Sequence, residues 1–282
     1  MAHRTAAEKR FRNKRESRID SAQAPKLHWQ MNSERAISFS RVEFACAGAV
    51  FLIALLLYSW TLAPTVTLTD SGELIVVAHG LGVAHPPGFP LWVILAHLAS
   101  LVPLGNVAVR INFSSALFAA LASAILTLVV AELMITTPYL PTWKKRSAQQ
   151  KKKAEDSRIG QLLICAPALG AGLLMAFSRT LWAYATIAEV YTLNALLILI
   201  ILFLMLRWRW YILADRLNTG PAIRPHDKWL YGAALVFGLA LGVHHVTVGL
   251  MLPALAVLVY RTQGLRFFTS RRLVKNIRPC VL

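Results

Sequence analysis

The stretch GFPLWVILAHLASLVPL at residues 88–104 decides how this chain is threaded through a membrane. It is apolar, but its length between Pro90 and Pro103 falls short of the about 20 residues that a helix needs to cross the hydrocarbon core. A segment of this length is more often re-entrant or interfacial. Whether it crosses determines the side of the membrane on which every later loop lies.

The distribution of positive charge decides between the two threadings. Of the 30 Lys and Arg residues, 28 lie in four blocks, at 1–41, 144–158, 207–228 and 261–278. If 88–104 does not cross, all four blocks lie on the same side, and if it does cross, they are divided between the two sides. Because basic loops stay in the cytosol, we predict that 88–104 remains exoplasmic and that the N-terminus is cytosolic.

The fold class that follows is an all-α polytopic membrane protein. Hydrophobic residues make up 56% of the chain and are concentrated in long runs. Residues 1–41 are predicted to be a basic, disordered cytosolic tail, residues 42–260 a multi-spanning membrane domain, and residues 261–282 a second basic cytosolic tail. The cations flank apolar runs, so the partner is the lipid bilayer and not nucleic acid. Six spanning helices are predicted, at about 42–62, 111–135, 160–179, 188–206, 229–244 and 247–260.

This topology gathers polar residues on the exoplasmic side. Ionisable groups near a membrane are costly to bury unless they are paired or hydrated. Their clustering at one face therefore predicts a polar site at the membrane boundary. The residues concerned are Asp70, Glu73, His79, His85, His97, Arg110, Arg179, Glu189, His244 and His245.

The segment TDSGELIVVAHGLG, 69–82, predicts a short amphipathic helix on the outer surface, with Leu74, Val77, Ala78 and Leu81 on its apolar face. Its acids have a second interpretation, in which Asp70 is the N-cap and Glu73 completes a capping box. The two interpretations are compatible, because a capping carboxylate can still face a cleft.

Structural roles also remain open for the other polar residues. Arg110 could be an interfacial anchor or a phosphate ligand. Glu189 could favour the helix dipole or line a pocket paired with Arg179. The sequence His85-Pro-Pro could be only a rigid turn.

Five motifs in order resemble the GT-C superfamily of glycosyltransferases that use polyprenyl-phosphate sugars. They are TDSGEL at 69–74, AHPPGFPLW at 84–92, RINFSSALFAALAS at 110–123, AEVYTLNAL at 188–196 and GLALGVHH at 238–245. They are most similar to the branch named for a transmembrane O-mannosyltransferase of plexin-type receptors, which also has bacterial relatives. The resemblance implies a GT-C-like helical bundle in the endoplasmic reticulum membrane. It also implies inverting transfer of mannose from dolichyl-phosphate mannose to Ser or Thr hydroxyls of lumenal protein domains.

The resemblance also implies roles for the site residues. Asp70 occupies the position of the first-loop acid and would be the catalytic base, and Glu73 and Glu189 would orient the sugar or Asp70. No metal and no cofactor beyond the lipid-linked donor are expected. The candidate contacts to phosphate or sugar are His85, Arg110, Arg179, His244 and His245.

Full-length relatives of that branch have more spanning helices and a large lumenal C-terminal region. We therefore expect this chain to be an N-terminal portion, a short isoform or an incomplete gene model, with its own activity open. A non-catalytic membrane protein of the same family is one alternative. A transporter is less favoured, because polar groups do not interrupt the middle of the predicted spans.

Overall fold

A computed structural model describes residues 39–136, 150–217 and 227–264, and within these ranges every regular element is a helix. The predicted tails at 1–41 and 261–282 lie almost entirely outside the described residues. The helices are α1 Arg41–Trp60, α2 Ser71–Gly80, α3 Pro90–Ser100, α4 Val107–Thr136, α5 Gln150–Ala176, α6 Arg179–Ala185, α7 Tyr191–Leu217, α8 Asp227–Gly249 and α9 Leu252–Gln263.

The chain is a polytopic helical membrane protein, as predicted. Four described helices, α1, α4, α7 and α8, are long and apolar enough to cross a membrane. The pair Gly160–Ala176 and Arg179–Ala185 would count as a fifth span, but it is bent by 59°. The described part of the chain thus has four or five spans, and the prediction of six is wrong.

The error lies in the predicted C-terminal hairpin of 229–244 and 247–260. Helix α8 continues through this point to Gly249, with a local break at His244. Helix α9 has only 12 residues, which is too short for a bilayer core about 30 Å thick. The sequence shows the polar pair His244-His245 but not that the helix resumes after it.

The stretch that decides the threading forms α3, which has 11 residues and is too short to cross alone. Pro90 occupies its first turn, where a missing N–H costs nothing. Trp92 is fully buried, and α3 packs against α2, α4 and α8. The ring of His97 lies 2.9 Å from the carbonyl oxygen of Ala78, which ties α2 to α3.

Helix α4 is the centre of the bundle and packs against α1, α3, α5, α6 and α7. Small residues allow this, because helices in a membrane approach closely where side chains are small. On the partner helix α5, a Cβ added at Gly172 would collide with Thr127 of α4. The RINFSSALFAALAS motif therefore serves packing, with buried Ala116, Ala119, Ala120, Ala122 and Ser123.

The ends of two helices differ from the prediction. Helix α7 continues to Leu217 and α5 begins at Gln150, so part of each predicted basic loop is helical. Trp208 and Trp210, predicted to lie in a cytosolic loop, are buried. Arg207 lies within α7 because it has an ion pair and aromatic contacts with residues from other parts of the fold. These partners are distant in sequence, so a count of charges along the chain does not reveal them.

A candidate active site at one end of the bundle

The end of the bundle predicted to be exoplasmic, called the outer end here, brings together two loops that are far apart in sequence. The backbone N–H of Ala63 donates to the carbonyl of Thr186 at 3.0 Å. The indole N–H of Trp182 donates to Oγ1 of Thr61 at 2.9 Å. The loop that leads to Asp70 therefore lies against the turn that carries Glu189.

Glu189 is held firmly at the junction of α3, α4 and α7. Its carbonyl accepts from the indole N–H of Trp92 at 3.1 Å, and its backbone N–H donates to Oγ of Ser115 at 3.2 Å. The side chain is buried, and its carboxylate accepts from Oγ1 of Thr69 at 3.4 Å. Burial raises the pKa of Glu189, and the nearby negative charge of Asp70 raises it further.

Asp70 is the exposed member of this pair of acids. It occupies the N-cap position of α2, yet its side chain makes no capping hydrogen bond. The residue before it, Thr69, has φ of 74°, a left-handed conformation that is strained for a β-branched residue. Such strain concentrates at functional sites. The capping box predicted from Asp70 and Glu73 is not formed, so the Asp70 carboxylate faces solvent.

Glu73 instead binds the loop before α3. Its Oε2 lies 2.9 Å from Nδ1 of His85, and its Oε1 accepts from the backbone N–H of His85 at 2.6 Å. These hydrogen bonds lower the pKa of Glu73, and the bond to Glu73 raises the pKa of His85. The charges of Asp70 and Glu189 also raise the pKa of His85. His85 lies near these acids, because it binds Glu73, three residues after Asp70, while Thr69, the residue before Asp70, binds Glu189.

This pairing predicts how the charge of His85 depends on pH. As pH rises through the raised pKa of His85, the ring loses its proton and the ion pair is lost. As pH falls through the lowered pKa of Glu73, the pair is lost again. We expect Glu73→Gln to lower the pKa of His85, measured by NMR titration of labelled histidine rings. The exposed His245 serves as the internal control, and an unchanged titration of His85 would contradict the pairing.

The two arginines do not join this cluster of acids. Arg110 donates to the carbonyls of Ser100, Leu104 and Gly105 at 2.8–3.0 Å, and so fixes the loop between α3 and α4. Arg179 is exposed in the first turn of α6. The pairing of Arg179 with Glu189 that we considered is absent from the ion pairs between described residues.

His244 lies where α8 is broken, with φ of −152° and ψ of 84°. The centroid of its ring lies 5.9 Å from that of Tyr191, and the ring centroids of Tyr191 and Tyr184 are 4.8 Å apart. His245 is exposed. The structure therefore brings Asp70, Glu73, His85 and Glu189 together and adds an aromatic group reaching His244.

Sequence reasoning missed residues that position the site. Tyr184 and Tyr191 are typical of an interfacial aromatic belt, so the sequence alone does not indicate that they belong to a site. Within the described residues, no group of three or more His, Cys, Asp or Glu side chains has the arrangement of a metal site. The signal that could have been used is the motif AEVYTLNAL, which carries both Glu189 and Tyr191. The missed residues are Thr69, Trp92, Ser115, Tyr184, Tyr191, Asn194 and Thr247.

Fold and site define the class as a polytopic helical membrane protein with carboxylates and a histidine gathered at one end of its bundle. The family model described as Protein O-mannosyl-transferase TMEM260 N-terminal domain matches residues 70–266. The chain belongs to this family. The matched region begins at Asp70 and contains every candidate site residue.

Curated relatives agree with the family match. The chain is 31% identical over 214 residues to Protein O-mannosyl-transferase TMEM260 of Mus musculus, which covers 76% of this chain and 25% of the mouse protein. It is 29% identical over 217 residues to Protein O-mannosyl-transferase tmem260 of Dictyostelium discoideum. This alignment covers 74% of this chain and 22% of the Dictyostelium protein. The chain thus spans about a quarter of the length of these relatives. No solved structure matches it.

Proposed function

We propose that this chain carries the donor site of an inverting membrane O-mannosyltransferase. The donor is dolichyl-phosphate mannose, and the acceptors are Ser and Thr hydroxyls of lumenal protein domains. The observation that carries the proposal is the cluster of Asp70, Glu73, His85 and Glu189 at one end of a membrane bundle. Membership of a family whose curated relatives are named protein O-mannosyl-transferases supports it.

Asp70 is assigned the role of general base, because an exposed carboxylate without a capping bond can accept a proton. The acceptor hydroxyl oxygen forms a bond to C1 of mannose on the face opposite the phosphate. The C1–O bond to phosphate breaks, its electron pair leaves with dolichyl phosphate, and the hydroxyl proton passes to Asp70. Attack from the opposite face inverts the configuration at C1.

The neighbouring residues are assigned to binding and positioning. Glu189 is anchored through its backbone to Trp92 and Ser115, so its carboxyl group can hold Thr69 and the loop before Asp70. The bond to Glu73 raises the pKa of His85, and its protonated ring would supply a cation for the phosphate. Arg110, Arg179, His244 and His245 are proposed contacts to the donor, and Arg110 also fixes the loop between α3 and α4.

The proposed topology puts this site in the lumen of the endoplasmic reticulum with the N-terminus in the cytosol. The four blocks of Lys and Arg support this placement through the positive-inside rule. The resemblance of the five motifs to the plexin-type branch of the GT-C superfamily supports the choice of donor and acceptor.

The experiment that tests this function compares two proteins in lipid nanodiscs. One is the chain itself, and the other is the chain joined to the C-terminal remainder of the mouse relative. We expect both to bind radiolabelled dolichyl-phosphate mannose, and the joined protein to transfer mannose to a plexin-type receptor ectodomain. Failure of both proteins to bind the donor would reject the proposal, and binding without transfer would favour a non-catalytic family member.

A further inference from the structure

Three ring side chains form a continuous surface beside the acids. Tyr184 of α6 and Tyr191 of α7 have ring centroids 4.8 Å apart, and His244 of α8 lies 5.9 Å from Tyr191. The rings are tilted by 42° and 40°. We call these three residues the aromatic shelf. Each comes from a different helix, so the shelf exists only in the folded chain.

The shelf adjoins the proposed catalytic carboxylates. Tyr191 follows Glu189 by two residues, and the Glu189 carboxylate accepts a hydrogen bond from Thr69, the residue before Asp70. Tyr191 is also 43% exposed, although its ring has tilted contacts with both Tyr184 and His244. A ligand in contact with Asp70 would therefore find an open aromatic face next to it.

The shelf is more than a belt of aromatic residues facing lipid. The break at His244 is supported by a polar network, in which the Asn194 amide donates to Oγ1 of Thr247 at 3.0 Å. Oγ1 of Thr247 lies 3.1 Å from the His244 carbonyl oxygen and 3.2 Å from its Nδ1. Asn194 is buried. Polar groups are costly to bury in a spanning bundle, and those that are kept there usually mark a functional site. In secondary transporters, interrupted helices form the substrate sites, and the break at His244 favours a binding site here by the same physical logic.

The neighbouring helix holds the same segment in place. A Cβ at Gly242, two residues before His244, would contact Pro90 and Leu91 at 3.6 Å. These residues begin α3, and α3 follows the loop that carries His85. The end of α8 is therefore packed against the start of α3, next to the loop whose His85 binds Glu73.

We propose that the aromatic shelf binds the apolar face of the pyranose ring of a lipid-linked sugar donor. The C–H groups on one face of a pyranose carry partial positive charge and stack on the negative face of an aromatic ring. The hydroxyl groups at the rim would then point towards the carboxylates. This inference rests on the proposed function and deepens it, because it separates recognition of the sugar from recognition of the phosphate.

The test uses the chain in nanodiscs and two lipids, dolichyl-phosphate mannose and dolichyl phosphate without sugar. We expect Tyr191→Leu to weaken binding of the sugar-bearing lipid by about tenfold and to leave binding of the sugarless lipid unchanged. Tyr191→Phe keeps the ring and should bind like the unmodified chain. Trp60→Leu is the control, because Trp60 is an exposed aromatic residue at the outer end of α1.

Each other outcome has a defined meaning. Unchanged binding of the sugar-bearing lipid by Tyr191→Leu and by Tyr184→Leu would overturn the shelf but leave the proposed function standing. Equal losses for both lipids would show that the rings serve the phosphate or the fold, and would also overturn it. An unmodified chain that binds neither lipid would reject the function and the shelf together.

Discussion

Replacing Asp70 by asparagine is expected to reduce mannose transfer by about a thousandfold. The amide has the shape of the carboxylate but cannot accept the proton of the acceptor hydroxyl. Folding should be preserved, because the Asp70 side chain makes no capping hydrogen bond and is exposed. The measurement is the transfer rate to a plexin-type receptor ectodomain by the chain joined to the remainder of the mouse relative.

The matched control for this variant is Asp227→Asn. Asp227 is also an exposed acid at the start of a helix, but it lies at the opposite end of the bundle. We expect Asp227→Asn to transfer mannose at the unmodified rate, and both variants to bind the donor. Transfer by Asp70→Asn within a few-fold of the unmodified rate would remove Asp70 from the role of base.

The gathering of the acids at one end is the part of the site that sequence reasoning could reach. The basic blocks predict that Asp70 and the Glu189 turn lie on the same side of the membrane. In the structure the loop before Asp70 is hydrogen-bonded to the turn before Glu189, so the two lie at the same end of the bundle. This inference needs only charge counts and span lengths, and both are properties of the sequence.

The partners of individual side chains could not be reached in the same way. Glu73 has the correct spacing for a capping box, but it binds His85, 12 residues later. Arg110 is predicted to contact phosphate or sugar, but the sequence does not indicate the three carbonyls that its guanidinium also binds. In both cases the fold brings within reach partners that the local sequence pattern does not indicate.

The length of α7 illustrates the same limit for the fold. Arg207 and Arg209 indicate the end of a span when hydropathy is read along the chain. In the structure Arg207 remains inside the bundle, because Glu132 and the rings of Phe39, Tyr211 and Trp229 surround it. A buried charge is tolerated only with such partners, and those partners come from other elements of the fold.

The second large effect is expected from breaking this buried ion pair. Nη1 of Arg207 lies 3.2 Å from Oε2 of Glu132, with side-chain exposures of 7% and 0%. Removing Glu132 leaves the buried charge of Arg207 without its carboxylate, and breaking a buried pair in this way costs about 3–5 kcal/mol. We expect Glu132→Ala to lower the midpoint of thermal denaturation by about 10 °C, measured in detergent by the fraction that stays monodisperse after heating.

Two further variants separate the charge from the packing. The double variant Glu132→Leu with Arg207→Leu removes both charges and should recover most of the lost stability. Arg209→Leu, two residues along α7 and thus on another face, should change the midpoint little. A double variant as unstable as Glu132→Ala would show that the aromatic contacts of Arg207 stabilise the bundle more than the ion pair does.

The ion pair also bears on the site at the other end of the same two helices. Helices α4 and α7 are joined near their outer ends by Ser115 and Glu189 and near their other ends by Glu132 and Arg207. Because α4 and α7 are linked near both ends, the Glu189 turn is held in a fixed position relative to α4. We therefore expect Glu132→Ala to weaken donor binding as well, and the double leucine variant to restore it. Full donor binding by Glu132→Ala at a temperature where it stays folded would show that the outer end keeps its register without the pair.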